Sequence, residues 1–328
     1  MGLQIDNRSR LAALKAENDR LLNAIFSGIR EVALIDVPAH ANVGDSMIAL
    51  GELDYFRSHD IAVRYLGAGT QADLAWLAEW SQQPGTAVVH HGGGNFGTIW
   101  PSEHNFRLAV INALPRAQII QMPQSIHFSD EASAAATRAA LAAHPRYTLL
   151  VRDAQSLASA AALNVKPLLV PDMAFRLPPM RRHKPQADVL VLSRVDHEAR
   201  GRQLDGIGDA WNVRVTDWVH AHRPERLLND LLLGIDGRRS MRVAVAGWLG
   251  RHRLARGSRI LSMGKIVVSN RLHVHILCLL LGIPHALANS MDGKIFALHK
   301  TWTSDMEGVA LVTEDQPVRD AISSLYVL

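Results

Sequence analysis

The sequence predicts an α/β protein whose strands are parallel and whose chain divides into two halves. Three observations carry this. Short apolar runs alternate with longer amphipathic ones along nearly the whole chain, the pattern of a parallel sheet covered by helices. A proline- and arginine-rich stretch breaks the alternation once, at residues 176–185, after which it resumes. The 328 residues fit two domains of roughly 150 residues each and can bury a sizeable core.

The elements follow in order. Leu11, Leu14, Leu21, Leu22 and Ile25 share one face of a helix over Ser9–Ile25, which Ser27-Gly28 stops. Strands are predicted at Val32–Ile35, Ala62–Leu66, Ala87–Val89, Gln118–Gln121, Thr148–Val151 and Leu168–Val170. Helices are predicted between them at Ser46–Ser58, Ala72–Trp80, Asn105–Leu114, Glu131–Ala143 and Ala154–Leu163. Prolines and clustered cations make Arg176–Pro185 an exposed linker. Beyond it, strands are predicted at Val189–Leu192, Val213–Thr216, Val243–Ala246, Ile266–Ser269, Ala286–Ala288 and Val309–Val312. The organisation is two Rossmann-like domains, 1–178 and 186–328. A ligand is expected in the crevice between them, at the carboxyl ends of the strands.

Composition narrows the functional classes. Hydrophobic residues make up 48% and charged residues 20%, a globular balance. Cys278 is the single cysteine, which excludes an intrachain disulfide and argues against a thiolate zinc site. His90, His91, His273, His275 and His285 contain no i, i+4 pair, so no metal is predicted. Residues 1–30 carry charges throughout, with no apolar signal core. The longest apolar stretch, Ile276–Ala288, is broken by Gly282, Pro284 and His285, short of the roughly 18 residues of a membrane span. The cytoplasm is the expected compartment. The net charge of +4, with 16 histidines besides, points to an anionic partner. Arg251, Arg253, Arg256 and Arg259 load one helix and read as a solvated face, or as attraction to anionic lipid or a diphosphate-linked acceptor. Aromatics are only 5% and do not interleave with the cations, so nucleic acid is not expected.

Several segments carry candidate chemistry. In Asn42-Val-Gly-Asp-Ser46, Gly44 allows a tight turn, and Asp45 or Ser46 can cap a helix. The segment is either a plain cap or a backbone cradle for an anion or sugar hydroxyl. His91-Gly92-Gly93-Gly94-Asn95-Phe96-Gly97 follows an apolar strand as a loop that brings backbone close to a ligand. Its glycines satisfy G-x-G-x-x-G, but no acid ends the next strand to hold a ribose, and Pro101 sits where the binding helix should run. Gln121, Gln124, Ser125 and His127 end another strand near the crevice. Arg152 either clamps an anion bidentately or pairs with Asp153. Most informative is Ser269-Asn270-Arg271-Leu272-His273. Ser269 or Asn270 can cap the following helix, free amides favour an anion there, Arg271 adds a fixed charge, and His273 adds a proton donor. His275 lies off the face of His273 and reads as packed, and Cys278 as a small buried hydrophobe.

At these residues the sequence resembles the polysaccharide pyruvyltransferase family, over most of the chain. The resemblance rests on Asn42–Ser46 with Leu50-Gly51-Glu52, on His91–Gly97, Gln121–Phe128, Val151–Asp153 and Pro171-Asp172. It continues through Ser269–His273, Gly282–Pro284 and Lys300–Trp302. It implies a GT-B-like fold, phosphoenolpyruvate as donor, no cofactor, and a sugar ketal of pyruvate as product. The acceptor would be an oligosaccharide or lipid-linked saccharide, engaged mainly by the first domain; the basic runs at 176–184 and 251–259 add peripheral attachment at the inner face of a membrane as an alternative to a solvated face. By the same implication Arg152 and Arg271 grip the donor, and His273 protonates its methylene carbon. Asn42, Gly44, Asp45, His91–Asn95, Gln124, Ser125, Ser269 and Asn270 complete the expected site. Two departures bear on the acceptor: Thr98 stands where the family pattern has Asp, and Ala288-Asn-Ser-Met-Asp-Gly-Lys294 where it has Asp-Asn-Ser-Tyr-Gly-Lys. A nucleotide-sugar glycosyltransferase and a non-catalytic glycan-binding protein are the alternatives.

Overall fold

The computed structural model describes residues 6–193, 207, 210–219 and 223–326. After helix α1 (Arg8–Ile25), the first half runs β1 (Glu31–Val37), α2 (Val43–Ser58), β2 (Ala62–Ala68), α3 (Leu74–Trp80), β3 (Thr86–His90) and β4 (Gly93–Gly97). It continues α4 (Pro101–Ala113), β5 (Ile119–His127), α5 (Glu131–Ala142), β6 (Tyr147–Val151), α6 (Ala154–Ala161) and β7 (Leu168–Leu169). The strands form a parallel sheet in the order β2-β1-β3-β5-β6-β7, with β4 added alongside β5. Central strands covered on both faces are apolar without alternation, as in β1, where all residues from Val32 to Val37 are buried.

The second half holds β8 (Ala187–Leu192), β9 (Val213–Thr216), α7 (Arg223–Gly234), α8 (Ser240–Ser262), β10 (Gly264–Ser269), α9 (Leu272–Leu281), β11 (His285–Ala288), α10 (Lys294–Leu298), β12 (Val309–Val312) and α11 (Val318–Leu325). Its sheet is also parallel, in the order β12-β11-β10-β8-β9. The mixed α/β architecture with parallel strands is as the alternation predicts. Among the described residues, no helix is long and apolar enough to cross a membrane.

In both sheets the strand order reverses beside the first strand. The reversal lies between β1 and β3 in one sheet and between β8 and β10 in the other. At such a switch point the following loops part in opposite directions and leave a crevice at the carboxyl ends of the strands.

Four local expectations are corrected. Val243–Ala246 is not a strand but the first turns of α8. Its valines cover the core of the first sheet, and Gly250 and Gly257 let the helix close on α2. A β-carbon on Gly250 would lie 2.9 Å from Leu50, and one on Gly257 2.6 Å from Val43. Gly93–Gly97 is a strand rather than a loop. Gly97 has φ +112°, and a β-carbon there would lie 1.9 Å from the His127 carbonyl oxygen, so only glycine admits this pairing. β5 runs on to His127 because Pro123 sits at an irregularity, where a missing N–H breaks no ladder. The linker is exposed only beyond Leu177. Arg176 is buried, ion-paired with Asp19 and Asp54 and set over the Tyr55 ring.

Candidate functional site

A cleft of about 540 Å³ opens at the two switch points. The first half lines it with Asp36–Asn42 after β1, with Asp45, with His91, Gly92, Gly94 and Asn95 after β3, and with Arg152 after β6. The second half contributes Trp218, Arg271, Leu272, His273 and Lys294. A larger groove of about 1110 Å³ lies along the linker. It contains none of the predicted residues, and volume without convergent polar chemistry does not identify a site.

The cationic side of the cleft is built on buried carboxylates. Arg152 Nη1 donates to Asp172 Oδ2 at 2.7 Å, and its Nε donates to Ser125 Oγ at 2.9 Å. Ser125 Oγ in turn donates to Asp153 Oδ2 at 2.7 Å. His273 Nε2 lies 3.4 Å from the same Asp172 oxygen. Asp172 therefore ties the arginine of the first half to the histidine of the second. Burial opposes ionisation of Asp172, but His273, Arg152 and the Ala174 N–H outweigh it and hold the carboxyl well below its usual range. Trp302 Nε1 fixes the Arg152 carbonyl at 2.8 Å. Arg271 Nη2 donates to Asp217 Oδ2 at 2.8 Å, and Lys294 Nζ lies 3.1 Å from Asp292. Each cation is thus oriented before any anion arrives, which lowers the ordering cost of binding.

Two glycine-rich segments act through close approach. Gly44 makes no tight turn; it lies in the first turn of α2, and a β-carbon on it would sit 2.6 Å from His273 Nδ1. The histidine ring rests where a side chain would otherwise be. The α2 cap is Asn42, not Asp45 or Ser46: its Oδ1 accepts from Gly44 N at 3.0 Å, and its Nδ2 donates to Asp45 Oδ2 at 2.7 Å. Burial pushes the Asp45 carboxyl up, yet His40, His273, His91 and Arg152 pull it below its ordinary value.

Carboxylates also form part of the cleft wall. Asp36, Asp45, Glu103 and Trp100 line it. His91 Nδ1 meets the fully buried Glu52 at 2.7 Å, and Glu52 Oε1 accepts from Gly92 N at 2.8 Å. Burial disfavours the His91 cation, but Glu52, Asp36 and Asp45 outweigh it and raise its pKa. Behind this wall, Arg107 donates to Gln121 Oε1 at 2.6 Å and to Asn95 Oδ1 at 2.7 Å. Gln124 Nε2 donates to the His91 carbonyl at 3.1 Å and to Asn95 Oδ1 at 2.9 Å. Gln124 thus braces His91 and Asn95, while Ser125 holds Arg152.

Of the predicted residues, the cleft lining gathers Asn42, Asp45, His91, Gly92, Gly94, Asn95, Arg152, Arg271 and His273, while Gly44, Gly93, Gln124, Ser125, Ser269 and Asn270 lie outside it. Ser269 does not cap α9, whose N-cap is Arg271 without a side-chain bond. Ser269 Oγ accepts from Arg271 N at 3.1 Å and donates to the Leu192 carbonyl at 2.6 Å, holding the arginine's backbone. His275 is packed, against His285 at 2.7 Å and Thr303 at 2.7 Å, and Cys278 is a buried hydrophobe whose thiol pKa burial raises. The solvated reading of the second-half arginines fails at Arg253 and Arg256, which are buried. Arg256 Nη2 donates to the Ala41 carbonyl at 2.5 Å and the Trp218 carbonyl at 3.0 Å, joining the two walls, and its Nη1 pairs with buried Glu225.

The sequence reading missed Asp36, Trp100, Glu103, Trp218 and Lys294. Asp36 carried one signal, a carboxylate closing an apolar strand. Thr98 lies outside the cleft lining, and its Oγ1 accepts from Ser129 N at 2.8 Å. Among the described residues, no three His, Cys, Asp or Glu side chains are grouped to hold a metal.

Comparison with known proteins gives consistent findings. The profile of the family described as polysaccharide pyruvyl transferase matches residues 42–289. Pyruvyl transferase 1 of Schizosaccharomyces pombe is 32% identical over 317 residues, covering 88% of this chain and 74% of that protein. EpsO of Bacillus subtilis, a candidate pyruvyl transferase, is 28% identical, covering 93% of this chain and 94% of its own. The crystal structure of a functionally uncharacterized Klebsiella pneumoniae protein superposes with a TM-score of 0.61 at 19% identity, over 92% of this chain and 98% of that one, a likeness of fold.

Proposed function

Because this chain belongs to the polysaccharide pyruvyl transferase family and is a pyruvyltransferase, we propose that its donor is phosphoenolpyruvate and its product a cyclic pyruvate ketal on a saccharide. The two parallel sheets facing one cleft are read as a GT-B-like pair, with the second half on the donor side. The observation that carries the proposal is the meeting of Arg152, Arg271, Lys294 and His273 in one cleft. A compact donor with phosphate and carboxylate groups calls for several fixed cations and one proton source. Arg152 and Arg271 bind those groups, with Lys294 beside them. His273 delivers a proton to the methylene carbon while a sugar hydroxyl adds to C2. The C2–O bond to phosphate then breaks, and a second hydroxyl closes the ketal. No cofactor is required. The acceptor is a saccharide or its lipid-linked precursor, and the reaction belongs to the cytoplasm or the inner face of its membrane.

Purified protein should release phosphate from phosphoenolpyruvate only when a suitable glycan is present. Arg271→Ala should weaken donor binding by about tenfold or more, since charge-assisted bonds contribute about 1.5–3 kcal/mol. His273→Ala should lower kcat by about 10²–10⁴-fold. Undiminished turnover in His273→Ala sinks the acid role. Thermal stabilisation by nucleoside diphosphates, with none by phosphoenolpyruvate, replaces the proposal with glycosyl transfer.

A further inference from the structure

We propose that Asp36 is the base that takes the proton from the first acceptor hydroxyl. This rests on the pyruvyl-transfer reading above and adds to it the acceptor half of the reaction. Asp36 lies at the carboxyl end of β1, an interior strand of the first sheet, and lines the cleft. Its backbone is left-handed, φ +62°, one of three non-glycine residues with positive φ among those described. The β1–β2 register slips between Leu34 and Val37, around this residue. A strained non-glycine conformation is retained where the surroundings hold it, and such positions concentrate at functional sites.

The surroundings do hold it. Asn95 Nδ2 donates to Asp36 Oδ2 at 3.0 Å, and Arg107 Nη2 lies 3.5 Å from the same oxygen. Among the described residues only that oxygen is engaged, which leaves Oδ1 for a substrate. The charged groups facing Asp36 are Arg107 and Glu103 from α4 and His91 after β3. Burial raises the carboxyl's pKa to about 6 against the pull of Arg107, His91 and Asn95, a value suited to a base near neutral pH. The cations assigned to the donor line the same cleft.

The step balances. The acceptor O–H bond breaks and its electron pair forms the O–C2 bond, while its proton passes to Asp36. The C2=C3 π pair takes the proton of His273, making C3 a methyl group. The C2–O bond to phosphate then breaks with its electron pair. The second hydroxyl adds to C2 and returns a proton to His273. The proton held by Asp36 leaves with hydrogen phosphate, and the ketal keeps its carboxylate.

The test compares wild type with Asp36→Asn, which keeps the side-chain size, on a panel of p-nitrophenyl hexosides. Phosphate release is measured across pH 5–9, and phosphoenolpyruvate binding by titration calorimetry. Asp36→Asn should lower kcat at least 100-fold, bind phosphoenolpyruvate within threefold of wild type, and lose the rise in rate through pH 6. Formate should restore part of the activity of Asp36→Ala, as a positional or structural role would not allow. Turnover within threefold of wild type in Asp36→Asn, or loss of donor binding with it, overturns the assignment. A wild type that binds no phosphoenolpyruvate overturns the donor reading beneath it, and is told apart before any variant is made.

Discussion

Gly44→Ala separates the position of His273 from its chemistry. Gly44 is helical, so alanine should favour α2 by about 0.5–1 kcal/mol on backbone grounds alone. The new methyl would, however, sit 2.6 Å from His273 Nδ1, 2.8 Å from Cγ and 2.9 Å from Cβ, where ordinary contact begins at 3.4 Å. The conflict reaches back to Cβ, so a rotamer change cannot relieve it. The histidine and the start of α9 must move away by about 0.8 Å at the ring. That shift acts on a ring whose Nε2 stands 3.4 Å from Asp172. A misplacement near 1 Å costs about 10²-fold in rate. The expected result is a kcat about 100-fold lower in the phosphate-release assay, with the melting temperature changed by no more than a few degrees. Gly250→Ala is the control: its methyl would meet Leu50 at 2.9 Å, further along α2 and outside the cleft lining, and should cost about 1–3 kcal/mol of stability with turnover per folded molecule retained. Gly44→Ala with wild-type kcat and an unmoved His273 in its structure refutes the reasoning.

Two further outcomes follow from buried charge. Arg256→Met leaves Glu225 buried without its main counter-charge and frees the Ala41 and Trp218 carbonyls. Denaturant titration should show a loss of about 3–5 kcal/mol, and the acceptor KM should rise because the two cleft walls lose their tie. Stability should also fall on acidification. His104 and His285 are pushed down to about 4, by burial first, with Arg107 adding at His104 and His299 at His285. The folded state keeps them neutral while the unfolded chain protonates below about 6.5, so stability is lost as pH falls from 6.5 towards 4. By pH 5 this amounts to about 2 kcal/mol for each. Urea midpoints at pH 7.5 and pH 5 measure it, and equal midpoints in wild type refute it.

The sequence by itself determined the alternation of strands and helices, the strand ends where chemistry collects, and Arg152, Arg271 and His273 of the cationic group, though not Lys294. These depend on local signals: apolar period, caps, and polar residues that follow buried runs. It could not determine what long-range packing decides. Val243–Ala246 has the composition of a strand, yet lies in a helix because Gly250 and Gly257 let α8 pack on α2. Arg176, Arg253 and Arg256 look solvated in a one-dimensional reading, but each has partners more than twenty positions away in sequence that make burial tolerable. Gly44 reads as a turn residue until His273, more than two hundred positions later, is seen against it. Asp36 was visible as a carboxylate at a strand end; its left-handed backbone and its hold by Asn95 and Arg107 exist only once β1, β4 and α4 have come together.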